Sequence, residues 1–213
     1  MSDIFELDRA ARELYDTQGR RFDVVTRTWT FVRSSEKNDS QCERVDTLAA
    51  VAWLNRESAH PLRVPIGVIG PREATIEQLR AALRVGELLA DCGLTVICGG
   101  RQGVMQAVCE GVSRVGGLSV GLLPGTDAAE ANPFVGIAIA TGIGEARNAL
   151  IARAAFALVC IGDSYGTLSE VALGRHFGKL VVGLEGAAGV EGVVHVDSPE
   201  DAVMRIASAV LAR

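Results

Sequence analysis

From residue 63 onward, short apolar runs alternate with longer amphipathic stretches. Residues 64–69, 94–98, 118–123, 135–140, 156–161 and 180–184 are nearly continuous apolar runs, and each predicts a buried strand. Residues 193–196 predict a shorter edge strand. Between the runs the period changes. Ile76, Leu79, Leu83, Gly86 and Ala90 recur on one helical face. Thr75 and Gln78 have the spacing of a capping box, and Gly93 supplies a stop. Further helices are predicted over 103–115, 145–154, 167–177 and 199–211, while 135–140 is reached through a loop. Apolar strands separated by amphipathic helices predict a parallel sheet covered on both faces. Right-handed crossovers then give an α/β, doubly wound, mostly parallel, Rossmann-like sheet.

The first 62 residues follow another pattern. They hold one glycine, Gly19, out of 24, and 20 of the 47 charged residues. The division into two parts, 1–62 and 63–213, falls beside His60-Pro61-Leu62. Residues 15–22 predict a hairpin around Gly19, 26–32 a strand and 34–40 a polar loop. Val45, Leu48, Ala49, Ala52 and Trp53 predict a helix over 43–57. This part is a small N-terminal appendage of hairpin and helix, with no residue pattern that suggests chemistry.

The chain has 213 residues, 48% hydrophobic and 22% charged, with a net charge of -5. That composition belongs to a folded globular protein rather than a disordered one. An acidic chain with two lysines, Lys37 and Lys179, is a poor nucleic-acid binder by phosphate neutralisation. No run approaches the ~18 apolar residues of a membrane span. The acidic start, Ser2-Asp3-Ile4-Phe5-Glu6, lacks the regions of a secretory signal. The five cysteines show no two-residue gap typical of zinc or redox sites. The expectation is a reduced, cytoplasmic protein that meets neither membrane nor nucleic acid.

In this fold, ligands bind where strand ends enter helices. Four loops qualify: 70–74, 99–103, 141–145 and 162–167. Cys98-Gly99-Gly100-Arg101-Gln102-Gly103-Val104-Met105 runs from a strand into a helix. Such a turn offers backbone N–H groups and the positive end of a helix dipole to an anion. Read alone it is equally a tight turn without a ligand. Gly162-Asp163-Ser164-Tyr165-Gly166-Thr167 repeats the arrangement, with Glu170 one turn into the helix. Thr141-Gly142-Ile143-Gly144-Glu145-Ala146-Arg147-Asn148 places Arg147 where it can meet a phosphate or pair with Glu170. The histidines His60, His176 and His195 are scattered, no metal site is indicated, and Ser164 and Ser169 have no base partner. The three-glycine dinucleotide fingerprint is absent after the first strand, as is a Walker A lysine.

Taken as an ordered set, these motifs resemble the LOG-like Rossmann superfamily. They are Gly99–Met105, Gly121-Leu122-Leu123-Pro124-Gly125, Ala131-Asn132-Pro133-Phe134-Val135, Thr141-Gly142 with Ala146-Arg147-Asn148, and Gly166-Thr167-Leu168-Ser169-Glu170. Order and wording are most similar to the branch of molybdenum-cofactor carrier proteins, often mislabelled "lysine decarboxylase". The resemblance spans about residues 64–185. It implies a small phosphorylated ligand, either a nucleotide or a molybdopterin-type cofactor, and a homo-oligomer, dimer or tetramer. No further cofactor is required. The residues it assigns to ligand and phosphate are Gly70, Gly99, Gly100, Arg101, Gly103, Val104, Met105, Thr141, Arg147, Asn148, Gly162, Gly166 and Thr167.

In the LOG enzymes an arginine and a motif glutamate serve hydrolysis of a nucleoside monophosphate at its N-glycosidic bond. Arg147 and Glu170 match those positions and are the catalytic pair if this chain is a hydrolase. Asn148 stands where the enzymes carry lysine, and Gly162-Asp163-Ser164 where they carry Pro-Gly-Gly. These departures bear on hydrolysis more than on ligand binding. The expected function is therefore a binding protein, with phosphoribohydrolase as the alternative. Pyridoxal-phosphate-dependent lysine decarboxylation is excluded, because neither Lys37 nor Lys179 sits in a supporting motif.

Overall fold

The computed structural model describes residues 3–32 and 42–212. The chain forms two compact units. One runs from Arg63 to Val203; the other combines the residues up to Leu62 with those from Met204. The polar loop expected at 34–40, Lys37 included, lies outside the described residues.

The first unit is a five-stranded antiparallel sheet with one helix. Strands β1 (Ile4–Asp8), β2 (Glu13–Asp16), β3 (Arg20–Asp23), β4 (Thr28–Phe31) and β5 (Glu43–Asp46) are ordered β4-β3-β2-β1-β5, and α1 (Thr47–Arg56) follows β5. The β2–β3 turn is the expected hairpin. Asp16 accepts from the backbone N–H of Gln18 and Arg20 at 3.0 and 2.8 Å, and Gly19 takes φ +74°. Two elements differ from the sequence pattern. The stretch 43–57 is not one helix: its first four residues pair with β1, Phe5 opposite Val45. Asp46 then starts the helix by accepting from the N–H of Ala49 at 2.8 Å, an N-cap that periodicity alone does not reveal. Strand β1 was not expected, because its acidic residues mask a Phe5/Leu7 alternation that is buried in the sheet.

The second unit is the α/β layer structure. Its elements are β6 (Ile66–Ile69), α2 (Ile76–Asp91), β7 (Val96–Cys98), α3 (Val104–Arg114), β8 (Ser119–Leu123), β9 (Ile137–Ala140), α4 (Arg147–Ala154), β10 (Ala157–Ile161), α5 (Tyr165–His176), β11 (Leu180–Leu184) and β12 (Val194–His195). Helix α6 (Pro199–Leu211) closes the chain. The seven strands are all parallel, in the order β12-β11-β10-β6-β7-β8-β9. β6, β7 and β10 are buried along their whole lengths, as expected for strands covered on both faces. The predicted capping box of α2 forms: Thr75 and Gln78 exchange backbone-to-side-chain bonds of 3.3 and 3.0 Å.

The connections build leftward from β10 through β12 and rightward from β6 through β9. Right-handed crossovers in opposite directions put their helices on opposite faces. Ile151 and Ala152 of α4 and Val171 of α5 share a core with Ile69, Ile97, Leu122, Leu158 and Val181. Helices α2 and α3 pair over the other face at very short range. A Cβ on Gly111 would run into the backbone carbonyl of Leu83, and one on Gly86 into that of Val108.

This contact sets the sign of a substitution. In an open helix Gly→Ala would gain up to about 1 kcal/mol of propensity. Gly111→Ala is expected instead to destabilise by about 1–3 kcal/mol, the cost of forcing two packed helices apart. A urea midpoint lower than wild type, with unchanged slope, is the expected reading; a raised midpoint would contradict the close approach.

Candidate functional site

The sheet reverses its order between β6 and β10, so the loops after these neighbouring strands diverge to opposite faces. A crevice opens at such a point, at the carboxyl ends of the strands. A cleft of about 770 Å³ occupies it. Its floor is Val68, Ile69 and Gly70 of β6 and the residue after it, and Gly99 beyond β7. One wall is the start of α5 from Asp163 to Glu170, and Arg147 and Asn148 of α4 complete it.

Helix α5 begins as an anion seat would. Ser164 is the N-cap: its Oγ accepts from the N–H of Thr167 at 3.1 Å and lies 2.8 Å from Thr167 Oγ1. The first-turn N–H groups of Tyr165 and Gly166 have no helical acceptor by construction. Around Gly166 there is open space: a Cβ there would find Ser164 Oγ at 3.9 Å and Asn148 Nδ2 at 4.0 Å as its nearest neighbours. Asn148 donates from Nδ2 to Ser169 Oγ at 3.1 Å and to the Gly166 carbonyl at 3.4 Å, while its buried Oδ1 has no partner.

Arg147 lies beneath this seat, 5% exposed. Its guanidinium rests on the backbone of Gly99, where any Cβ would collide with both terminal nitrogens. The glycine is there for this approach. Nη1 stands 3.7 Å from Glu170 and Nη2 3.9 Å from Glu145, both beyond ordinary hydrogen-bond length, and the buried Nε has no partner. Burial raises Glu170 to about 8; Arg147 opposes that rise and Glu145 adds to it. The site thus holds a permanent cation beside a carboxyl that keeps its proton at neutral pH.

Seven of the thirteen residues assigned to ligand binding from the sequence line the cleft: Gly70, Gly99, Met105, Arg147, Asn148, Gly166 and Thr167. So does Glu170. The other six do other things. Gly103 (φ +68°) fits a backbone that passes against the carbonyls of Pro71 and Arg72. The N–H of Val104, the first of α3, donates to the Pro71 carbonyl at 3.1 Å. Val104 is fully buried. Gly100 lies against Gly121, and Gly162 against the Gln78 side chain. Arg101 pairs with Glu130 at 3.6 Å, and Thr141 donates through Oγ1 to the Leu123 carbonyl at 2.7 Å. Sequence reasoning missed Arg72, Glu73 and Glu145 on the rim, and gave no role to Tyr165. Asn132 was also missed: buried, it donates to the carbonyls of Gly100 and Arg101 at 3.1 and 2.9 Å and fixes that loop.

Cys98 and Cys109 lie under the glycine loop with sulfurs 3.5 Å apart, and Gly100 N–H donates to Cys98 Sγ at 3.4 Å. Their mutual hydrogen bond and burial push the Cys98 thiol up. Among the described residues, no three of His, Cys, Asp and Glu gather to hold a metal. Nor is any helix among them long and apolar enough to cross a membrane.

Comparison with known proteins finds one family and several relatives. The SLOG cluster4 family matches residues 63–210. An uncharacterized protein of Archaeoglobus fulgidus is 44% identical over 138 residues, which is 65% of this chain and 91% of that protein. Among solved structures, the molybdenum cofactor binding protein from the phototrophic bacterium Rippkaea orientalis is similar at TM-score 0.67 and 34% identity. It covers 70% of this chain and 99% of its own. The molybdenum cofactor carrier protein of Chlamydomonas reinhardtii gives 0.64 and 32%, over 71% and 100%.

The raised Glu170 sets a pH dependence. Its unfolded value is about 4.5 and its folded value about 8, so the folded state holds the proton more tightly. Stability from this group is complete below pH 4.5 and is lost as pH rises toward 8. Glu170→Gln keeps the neutral form at every pH. It is expected to match wild type near pH 4 and to exceed it increasingly up to pH 8, by a few kcal/mol at most, with no further widening above. Melting temperatures of both proteins from pH 4 to 9 check this; parallel curves would show that the folded and unfolded states hold the Glu170 proton equally.

Proposed function

The chain belongs to the SLOG cluster4 family, and from that premise we propose that it binds a small phosphorylated ligand, a molybdopterin-type cofactor or a nucleotide, in the cleft between β6 and β10. The supporting observation is the pair Arg147 and Asn148. Both are more than nine-tenths buried, both line the cleft beside the α5 start, and each keeps a buried polar atom without a partner. Buried polar groups are normally satisfied, and one left open costs about 1–3 kcal/mol. A phosphate ester supplies the acceptor that Arg147 Nε lacks, while Asn148 Oδ1, itself an acceptor, would take an O–H or N–H of the ligand's organic part. The phosphate oxygens would accept from the first-turn N–H groups of α5 and from the guanidinium, and a protonated Glu170 takes one charge away from the carboxylates Glu73, Glu145 and Asp163 that line the cleft with it.

The relatives in solved structures are described as binding or carrying the molybdenum cofactor, and that is the ligand class we favour. The cofactor would be cargo: the chain's own residues hold its phosphate end, and the chemistry stays on the cofactor. We further propose a homo-oligomer working in the cytoplasm. Ile137 and Ile139 on the edge strand β9 and Leu150 of α4 are 44–47% exposed, which supports burial against another copy.

A second reading follows from one pairing. Glu170 and Arg147 stand 3.7 Å apart in the cleft, and the carboxyl keeps its proton. In a nucleoside 5'-monophosphate, Glu170 would give that proton to the departing base as the C1'–N bond breaks. Water adds its oxygen to C1' and returns a proton to Glu170.

Calorimetry of the full chain with AMP, GMP and a molybdopterin-type ligand tests the first reading. Binding by phosphate esters and none by adenosine or guanosine is the expected result. Arg147→Gln should weaken it about tenfold or more, the loss of a charge-assisted bond. A folded protein that binds no phosphate compound would overturn it. Release of free base from AMP, abolished in Glu170→Gln, would establish the hydrolase; intact AMP after prolonged incubation would reject it.

A further inference from the structure

Tyr165 is the first residue of α5, and its side chain is 95% exposed, more than any other large hydrophobic residue in the described chain. It lines the same cleft as Arg147 and Asn148. Nothing local calls for a ring there. An aromatic residue is a weaker helix former than alanine, and a side chain left 95% in water covers no apolar surface. The helix is already started by Ser164, whose hydroxyl meets Thr167. What the position offers is adjacency: Tyr165 and Gly166 open the helix whose first turn lines the cleft, so the ring is carried by the same turn as the anion seat. The cleft, at about 770 Å³, is in the size range of pockets for whole cofactors, roughly 300–1,000 Å³, and far larger than one phosphate group requires.

We propose that Tyr165 is the stacking surface for a planar heterocycle joined to the bound phosphate, so that the cleft selects ring-bearing phosphate esters over ringless ones. This rests on the phosphate-binding reading above and adds the second half of the ligand. With the phosphate fixed at the α5 start and Arg147, a pterin or purine one sugar-sized unit away lies flat against the phenol. Arg72 and Glu73, from the loop after β6, stand on the rim of the same cleft with polar groups for the ring's edge. Stacking tolerates any π-face, so Tyr165 would favour heterocycles as a class.

The test is calorimetry of full-length wild type, Tyr165→Phe and Tyr165→Ala with AMP, ribose 5-phosphate and inorganic phosphate. Wild type is expected to bind AMP about 5- to 100-fold more tightly than ribose 5-phosphate, the usual worth of one stacked base. Tyr165→Phe should keep that ratio, and Tyr165→Ala should bring it to within about twofold. Ribose 5-phosphate affinity should be the same in all three. Equal affinity of wild type for AMP and ribose 5-phosphate would overturn the stacking role and leave phosphate binding standing. A uniform loss for all three probes in Tyr165→Ala, with a change of mass in light scattering, would overturn it in favour of a subunit contact. No binding of any probe by wild type would overturn both readings.

Discussion

The reversal of strand order between β6 and β10 is the constraint on which the site depends. Neighbouring parallel strands that feed helices to opposite faces leave a gap neither helix can close. Here the gap is floored by backbone as much as by side chains. A Cβ on Gly70 would strike the Ile161 carbonyl and Val104, so the two strand ends and α3 meet at a point where only hydrogen fits. Gly99 plays the same part for the Arg147 guanidinium. At these two positions the glycines let protein groups close up beneath the cleft floor.

Into this floor the fold inserts a charge. Taking a guanidinium out of water costs several kcal/mol unless partners replace the lost hydration. Arg147 is only partly compensated: its carboxylate neighbours stand at 3.7 and 3.9 Å, and one nitrogen is bare. Glu170 answers by holding its proton, because for this carboxyl desolvation outweighs the attraction of Arg147. The result is a buried, under-compensated guanidinium at the base of a helix N-terminus. A fold selected for stability alone would have closed it with a full ion pair or an apolar residue. A planar, permanently charged group is also better suited than lysine to gripping tetrahedral oxyanions from below.

The order of elements in the second unit was legible because its strands are buried on both faces and its helices on one. Continuous runs and a 3.6-residue period are signals that survive without coordinates. Gly70, Gly99, Gly166 and Thr167, on three of the four loops, were legible as strand-to-helix turns, and Arg147, Asn148 and Glu170 as members of an ordered motif set. What was not legible is which glycine-rich turn remains free. The 99–103 and 162–167 turns look equivalent as strings. Only the structure shows the Pro71 carbonyl accepting from the first N–H of α3, while Gly99 and Met105 of the same turn line the cleft. Gly103 and Gly162 are needed for backbone shape, against Arg72 and Gln78 respectively. Sequence spacing says where a backbone can bend, and long-range contact decides what fills the bend.

The first unit obeys a different economy. Its strands and α1 precede the region that the family matches, residues 63–210, and it uses aromatics where the second unit uses glycine. Trp29 stacks on Phe5 with centroids 5.7 Å apart, tilts against Phe22 at 5.0 Å, and donates its indole N–H to the Leu211 carbonyl at 2.6 Å. That last bond caps the end of α6 with a side chain from β4. It supplies a physical reason for the residues from Met204 to group with the N-terminal strands, although periodicity alone extends the second part to residue 213. A helix C-terminus leaves carbonyls without partners. An indole with one donor and a large apolar body satisfies one of them while filling the core beneath, so a single tryptophan joins the two ends of the chain into one folded unit.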